Sequence, residues 1–173
     1  MRPPTTDEYD EYYGAYVGRV PDRPVLDVLA EAPDALGAVL DRVPVSRETF
    51  AYAPDKWTVR EVVGHILDTE RVFGYRALHM ARSDPAALPG MDQLVWAAGS
   101  NAASRPLADL LREFRALRES HVALFSSFDD TILGREGVAS GARFTVRALV
   151  FVVAGHEIHH RGVLEDRYVT ARS

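Results

Sequence analysis

The sequence predicts an all-α protein, a four-helix bundle with one long crossover. Three observations predict it. Apolar residues recur at helical spacing in four separate runs. A mixed segment, Ser83 to Arg105, separates the second run from the third and is longer than an ordinary helix connection. No convincing strand pattern, low-complexity tract or charge block appears.

Residues 1–22 are polar and carry Tyr9, Tyr12, Tyr13 and Tyr16, bracketed by Pro3, Pro4 and Pro21. They read as an arm packed on the surface, with a turn or two of helix. From Pro24 to Val43 the residues Val25, Val28, Leu29, Leu36, Val39 and Leu40 keep helical spacing, interrupted by Pro33. This first helix is expected to bend or restart there, because proline removes a backbone donor and clashes with the preceding turn. Pro44 to Asp55 is a connector.

The second helix opens at Trp57-Thr58-Val-Arg-Glu61 and is expected to run to about Arg82. Thr58 and Glu61 have the spacing of a capping box, which satisfies two orphan N–H groups. The crossover contains Pro85, Pro89 and Gly90, and carries Asp92, Gln93 and Trp96, with room for a short helix. Pro106, a good first-turn residue, starts a third helix that reaches Phe128, with Leu107, Leu110, Leu111, Phe114, Leu117, His121, Leu124 and Phe125 as its core positions. Asp129 to Arg143 contains glycine and reads as a small hairpin or an irregular loop.

The fourth helix holds the most apolar run in the chain, from Phe144 to Leu164, with Thr145 as its cap. Within it, His156-Glu157-Ile158-His159-His160 delivers three histidines and a glutamate. At about 100° per residue, His156 and His160 lie about 40° apart on one face, together with Leu149, Val152, Val153 and Val163. Two imidazoles one turn apart in an apolar setting are half of a transition-metal site. His159 points to the edge of the stripe and is the weaker ligand. Hydrogen-bonded core histidines are the competing reading. A second competitor is the H-E-x-x-H zinc-protease pattern, with Glu157 as base. It lacks a convenient third ligand, since Glu165 and Asp166 lie one turn further along the same helix.

Composition bounds the function. A chain of 173 residues with 47% hydrophobic and 26% charged residues is one globular domain of ordinary size. With no cysteine there is no disulfide, no Cys-ligated zinc site and no cysteine nucleophile. A net charge of −5 argues against nucleic acid as the main partner. No signal peptide and no membrane span are read, so the expected compartment is the cytoplasm. A small-molecule substrate fits better than nucleic acid or membrane.

A third ligand is available on the second helix. Trp57-Thr-Val-Arg and Phe144-Thr-Val-Arg open the two helices alike. Counted from the threonines, His65, His156 and His160 fall within about 80° around the helix axis. If the two helices run antiparallel, the three histidines come to a similar height. His65 lies at the margin of the face formed by Val59, Val63, Ile66 and Phe73, so an exposed or capping role is its alternative. His79 and His121 read as structural or surface residues. Asp68 and Glu70 read as solvated, or ion-paired with a neighbour such as Arg71 or Arg76.

Lys56-Trp-Thr-Val-Arg-Glu-Val-Val-Gly-His65-Ile-Leu-Asp-Thr-Glu70, followed by His156-x-x-x-His160, resembles the DinB-like/YfiT superfamily over about Pro24 to Tyr168. The resemblance implies an up-down-down-up bundle whose crossover joins helices two and three. It implies a divalent transition metal, zinc or nickel, on three histidines that match His65, His156 and His160. It also implies, for some members, bacillithiol or mycothiol as a thiol cosubstrate. The expected function is a metal-dependent transferase that activates a low-molecular-weight thiol toward an electrophile, with Arg76 or Arg161 near the mouth for an anionic thiol. A metal-dependent hydrolase using Glu157 or Asp68 as base is one alternative. A non-enzymatic metal-binding stress-response module, as a homodimer, is the other.

Overall fold

The computed structural model describes residues 1–169; the end of the single domain assigned to 1–173 lies outside the described residues. The arm is a pair of 3-10 turns, Thr6–Glu8 and Glu11–Tyr13, followed by α1 (Gly14–Val17). The bundle helices are α2 (Val25–Leu40), α3 (Val59–Ala81), α5 (Leu107–Ser126) and α7 (Val146–Leu164), the last continued by a π turn over Glu165–Val169. Between them lie α4 (Gln93–Gly99) in the crossover, α6 (Asp130–Leu133) and a hairpin of β1 (Glu136–Ala139) and β2 (Ala142–Thr145).

Local chemistry explains the ends of the elements. Thr58 and Glu61 form the expected capping box: Glu61 Oε2 accepts from the Thr58 N–H at 2.8 Å, and Thr58 Oγ1 accepts from the Glu61 N–H at 3.3 Å. Thr145 caps α7 through the Ala148 N–H. The hairpin turns at Ser140 and Gly141, both with positive φ, which suits a two-residue turn between twisted strands. Of the two outcomes expected at Pro33, a bend or a restart, the restart is absent: α2 runs through the proline without interruption. Proline inside a helix costs about 3 kcal/mol or more. Burial of Val28, Leu29, Ala32, Leu36 and Val39 on one side of α2 offsets that cost.

The core fixes the helix directions. Tyr168, just past α7, donates a hydrogen bond to the Trp57 carbonyl, just before α3, so α3 and α7 run antiparallel. Arg42, just past α2, pairs with Glu165, just past α7, so these two run the same way. The starts of α3 and α5 share one apolar cluster and their later turns share another, so α5 runs with α3. The result is up-down-down-up, with α2 and α3 on the diagonal.

A polar layer separates the two apolar clusters. One cluster gathers Val25, Phe73, Phe125, Phe144 and Val150 at the hairpin end; the other gathers Leu36, Val63, Leu110, Phe114 and Leu164. Between them lie His65, Thr69, Glu70, Arg118, His121, His156 and Glu157, all buried. Buried polar groups are expensive unless they are paired, so a layer of this size marks a site rather than a packing compromise.

Candidate metal centre

Two of the three histidines, His65 and His156, are each delivered by a glycine-histidine step. On α3, Gly64 precedes His65, and a Cβ at Gly64 would sit 2.5 Å from the Cβ of Ala102 in the crossover. On α7, Gly155 precedes His156, and a Cβ there would sit 2.0 Å from the carbonyl oxygen of Tyr16 in the arm. The missing side chains therefore let the crossover and the arm press directly on the two helices, one residue before each histidine. This contact is what the pattern of helical faces did not reveal: the arm is part of the site rather than a surface appendage.

The three histidines converge. Nε2 of His65 and Nε2 of His156 are 3.2 Å apart, and one ring nitrogen of each of His65, His156 and His160 lies within 4.8 Å of the others. Two imidazole nitrogens on one tetrahedral ion with bonds of about 2.0–2.1 Å stand about 3.3 Å apart. The spacing of His65 and His156 suits a shared ion, and it is also a hydrogen-bond distance. Neighbours hold the rings in place. Trp57 lies against His65 with centroids 4.7 Å apart, and Tyr16 lies against His156 at 5.4 Å. Thr69 Oγ1, one turn after His65, lies beside its ring, 3.4 Å from Nδ1 and 3.5 Å from Nε2.

Burial sets the charge state. It pulls His65 down to about 4 and His160 down to about 3, in each case reinforced by neighbouring imidazoles. His156 is held well below its usual range by burial and then by the other histidines. Near neutral pH all three rings are uncharged and offer lone pairs, the form that binds a metal. The donor set and its charge fit a divalent transition metal with an open position. His159 stands outside the cluster, edge-on to Tyr16. His79 sits beside Asp84, and His121 lies in the core against Glu70, so neither joins the triad.

Two cavities reach the triad from different sides. One, of about 350 Å³, is lined by His65, His156, Tyr16, Phe73, Arg76 and the crossover residues Met91 to Leu94. The other, of about 270 Å³, is lined by His160, Trp57, Lys56, Tyr52, Val163 and Tyr168. Leu94 of α4 touches both. The crossover therefore covers the site, as its length suggests. Asp92 works there as the cap of α4, accepting from the N–H groups of Leu94 and Val95. Trp96 faces away, beside Asp68, and is half exposed.

Two candidate bases stand apart from the cavities, and one carboxylate assignment changes. Glu157 is fully buried but lines neither cavity; its Oε1 accepts from Arg161, and burial pushes its carboxyl up from the usual range. Asp68 likewise lines neither cavity. Glu70 is neither solvated nor paired with Arg71 or Arg76. It is buried against Arg118 at 2.6 Å and His121 at 3.1 Å. The missed partner, Arg118, had a visible signal: it lies in register with Phe114, His121 and Phe125 on one stripe of α5. An arginine on an apolar stripe calls for a buried partner, here the acid of Glu70.

The sequence profile of the DinB superfamily matches residues 29–164. The chain belongs to the DinB superfamily. The match includes most of α2, all of α3, α5 and α7, and all three histidines. Two solved DinB-like folds are similar to this one. YfiT from Bacillus subtilis aligns with a TM-score of 0.75 at 21% identity, covering 83% of this chain and 85% of YfiT. It is described as a probable metal-dependent hydrolase with an unusual four-helix bundle topology. A DinB-like protein from the same organism, YjoA, aligns with a TM-score of 0.55 at 19% identity, covering 81% of this chain and 86% of its own. At these identities the likeness is one of fold. No curated protein matches the sequence. No helix among the described residues is long and apolar enough to cross a membrane.

Proposed function

We propose that this DinB superfamily chain is a metal-dependent transferase. His65, His156 and His160 would hold a divalent transition metal, zinc or nickel, and the reaction would join a low-molecular-weight thiol to a small electrophile. When bound, the metal supplies an open Lewis-acid position that lowers the pKa of an incoming thiol or water. The observation that carries the reading is the pair of cavities. His65 and His156 face one, and His160 faces the other. Two reactants can thus approach the same three histidines, a thiol through one cavity and its electrophile through the other.

The carboxylates support the same choice. Hydrolysis profits from a general base within hydrogen-bond reach of the attacking water. Glu157 and Asp68 are the sequence candidates, and neither lines the cavities. Asp92 lines the larger cavity, but its Oδ1 is engaged in capping α4. A thiol with an ordinary pKa of about 8.5 needs less help, because a nearby positive centre is enough to ionise it. The chain's own contribution is then to bind, to orient and to keep water out through Tyr16, Trp57 and the α4 cover. The absence of cysteine means that no protein thiol would compete for the metal.

The test is a conjugation assay. Metal-loaded protein is mixed with bacillithiol or mycothiol and a bimane electrophile, and the thioether product is followed. Conjugation above the uncatalysed rate that disappears in His156→Ala supports the transferase. No enhancement with any thiol and metal, together with hydrolysis of a simple ester or amide, would replace it with the hydrolase reading.

A further inference from the structure

Three arginines are buried among the described residues: Arg76, Arg118 and Arg147. Arg118 is paired with Glu70, and Arg147 with Glu8. Arg76 has no carboxylate within ion-pair distance among the described residues, although it is only 4% exposed. A buried cation without a counter-charge is strongly unfavourable, so folds keep one only where something offsets it.

The surroundings of Arg76 hold it ready rather than neutralise it. Nη2 donates to the Ser140 hydroxyl at 2.7 Å and to the Pro89 carbonyl at 3.0 Å, which fastens the guanidinium to the hairpin turn and the crossover. The Phe73 ring lies under it at 5.2 Å. Those hydrogen bonds use one nitrogen, and the Tyr13 hydroxyl also lies against the guanidinium; the remaining N–H groups are left for a ligand. Burial lowers the Arg76 pKa from its ordinary value, as expected for a charge without a full partner. Arg76 also lines the cavity that ends on His65 and His156. On α3, His65, Thr69, Val72 and Arg76 form one stripe, and the first and last are separated by about 16 Å along the axis before their side chains are counted.

We propose that Arg76 is an anion subsite that seats the carboxylate of a small organic acid, whose flat apolar body lies among the tyrosines of the cavity and whose reactive end reaches the histidine triad. The role as substrate anchor rests on the reading of the triad given above; the anion subsite itself does not. Three features narrow the ligand. Tyr12, Tyr13 and Tyr16 form an aromatic wall, which favours a flat body. Arg76 is the single basic side chain, histidines aside, among the residues lining this cavity, and Asp92 adds a negative one, so a monoanion suits it better than a phosphate dianion. A volume of about 350 Å³ is at the small end for ligand pockets.

The experiment uses the full chain freed of metal by chelation, so its outcome is separate from that of the metal reading. Benzoate, benzamide and phenyl phosphate are titrated by calorimetry against the parent, Arg76→Gln and Arg76→Lys, with circular dichroism of each variant as a fold control. Expected are benzoate binding in the parent, affinity lower by about tenfold or more for benzamide and for Arg76→Gln, and partial retention in Arg76→Lys. Equal affinity for benzoate and benzamide, undiminished benzoate binding by Arg76→Gln, or no benzoate binding at millimolar concentration overturns the subsite. Tighter binding of phenyl phosphate than of benzoate overturns the carboxylate assignment. The benzoate and benzamide comparison on the parent decides the matter even if Arg76→Gln does not fold.

Discussion

The carbonyl oxygen of Tyr16 occupies the place where a side chain at Gly155 would begin, 2.0 Å from an ideal Cβ. The arm backbone therefore crosses α7 at contact distance, one residue before His156, and sets the Tyr16 ring against that histidine. Backbone cannot yield as a flexible side chain does. Gly155→Ala should lift the arm, at a cost of about 1–3 kcal/mol as for other overpacked sites. Urea unfolding reads the loss, and tryptic cleavage at the exposed Arg19 should accelerate in the variant. Unchanged stability and unchanged cleavage would show that the arm is not clamped there.

The same arm is fastened by a buried acid. Burial pushes the Glu8 carboxyl up, but hydrogen bonds from Thr145, Thr5, Arg147 and Arg2 outweigh it and bring it down to about 2 from 4.5. Because the folded value is depressed, the stabilisation is complete above pH 4.5 and is lost as pH falls toward 2. The shift corresponds to roughly 3 kcal/mol. Glu8→Gln should be less stable than the parent near neutral pH and should show a flatter stability profile across that window. Chemical denaturation at a series of pH values checks it, and parallel profiles for the two proteins would contradict the assignment.

Much of this was legible in the sequence. The four helices, the capping box at Thr58 and Glu61, and the shared face of His156 and His160 follow from spacing alone. His65 required more, because its face is ambiguous until α7 is known to run antiparallel to α3. Pro33 does not end its helix, because its local penalty is offset by packing that a local reading cannot weigh. The arm was hidden for a similar reason: Gly155 and Gly64 look like ordinary helix glycines until something is seen pressed against them. Glu70 was misjudged because its partner, Arg118, is 48 residues away, and helix-neighbour pairing looks only one turn ahead.

That pair gives a third prediction. Glu70 and Arg118 are both buried, and Nε and Nη1 of Arg118 have no hydrogen-bond partner among the described residues. Glu70→Ala should cost about 3–5 kcal/mol, since it strands a buried cation. Glu70→Leu combined with Arg118→Met should recover much of that loss, because two apolar side chains leave no stranded charge. A double-mutant cycle by urea denaturation measures the coupling. Strictly additive losses would mean that the two residues do not act as a pair.

The central claim is that His65, His156 and His160 form one metal centre, and metal content tests it most directly. The parent and six histidine variants are incubated with zinc or nickel, passed through gel filtration and assayed by elemental analysis. The account predicts about one equivalent in the parent, with a raised melting temperature because the ion binds only the folded state. It predicts loss of metal in His65→Ala, His156→Ala and His160→Ala, and retention in His159→Ala, His79→Ala and His121→Ala. A parent that retains no metal, or a His65→Ala variant that retains a full equivalent, would contradict it.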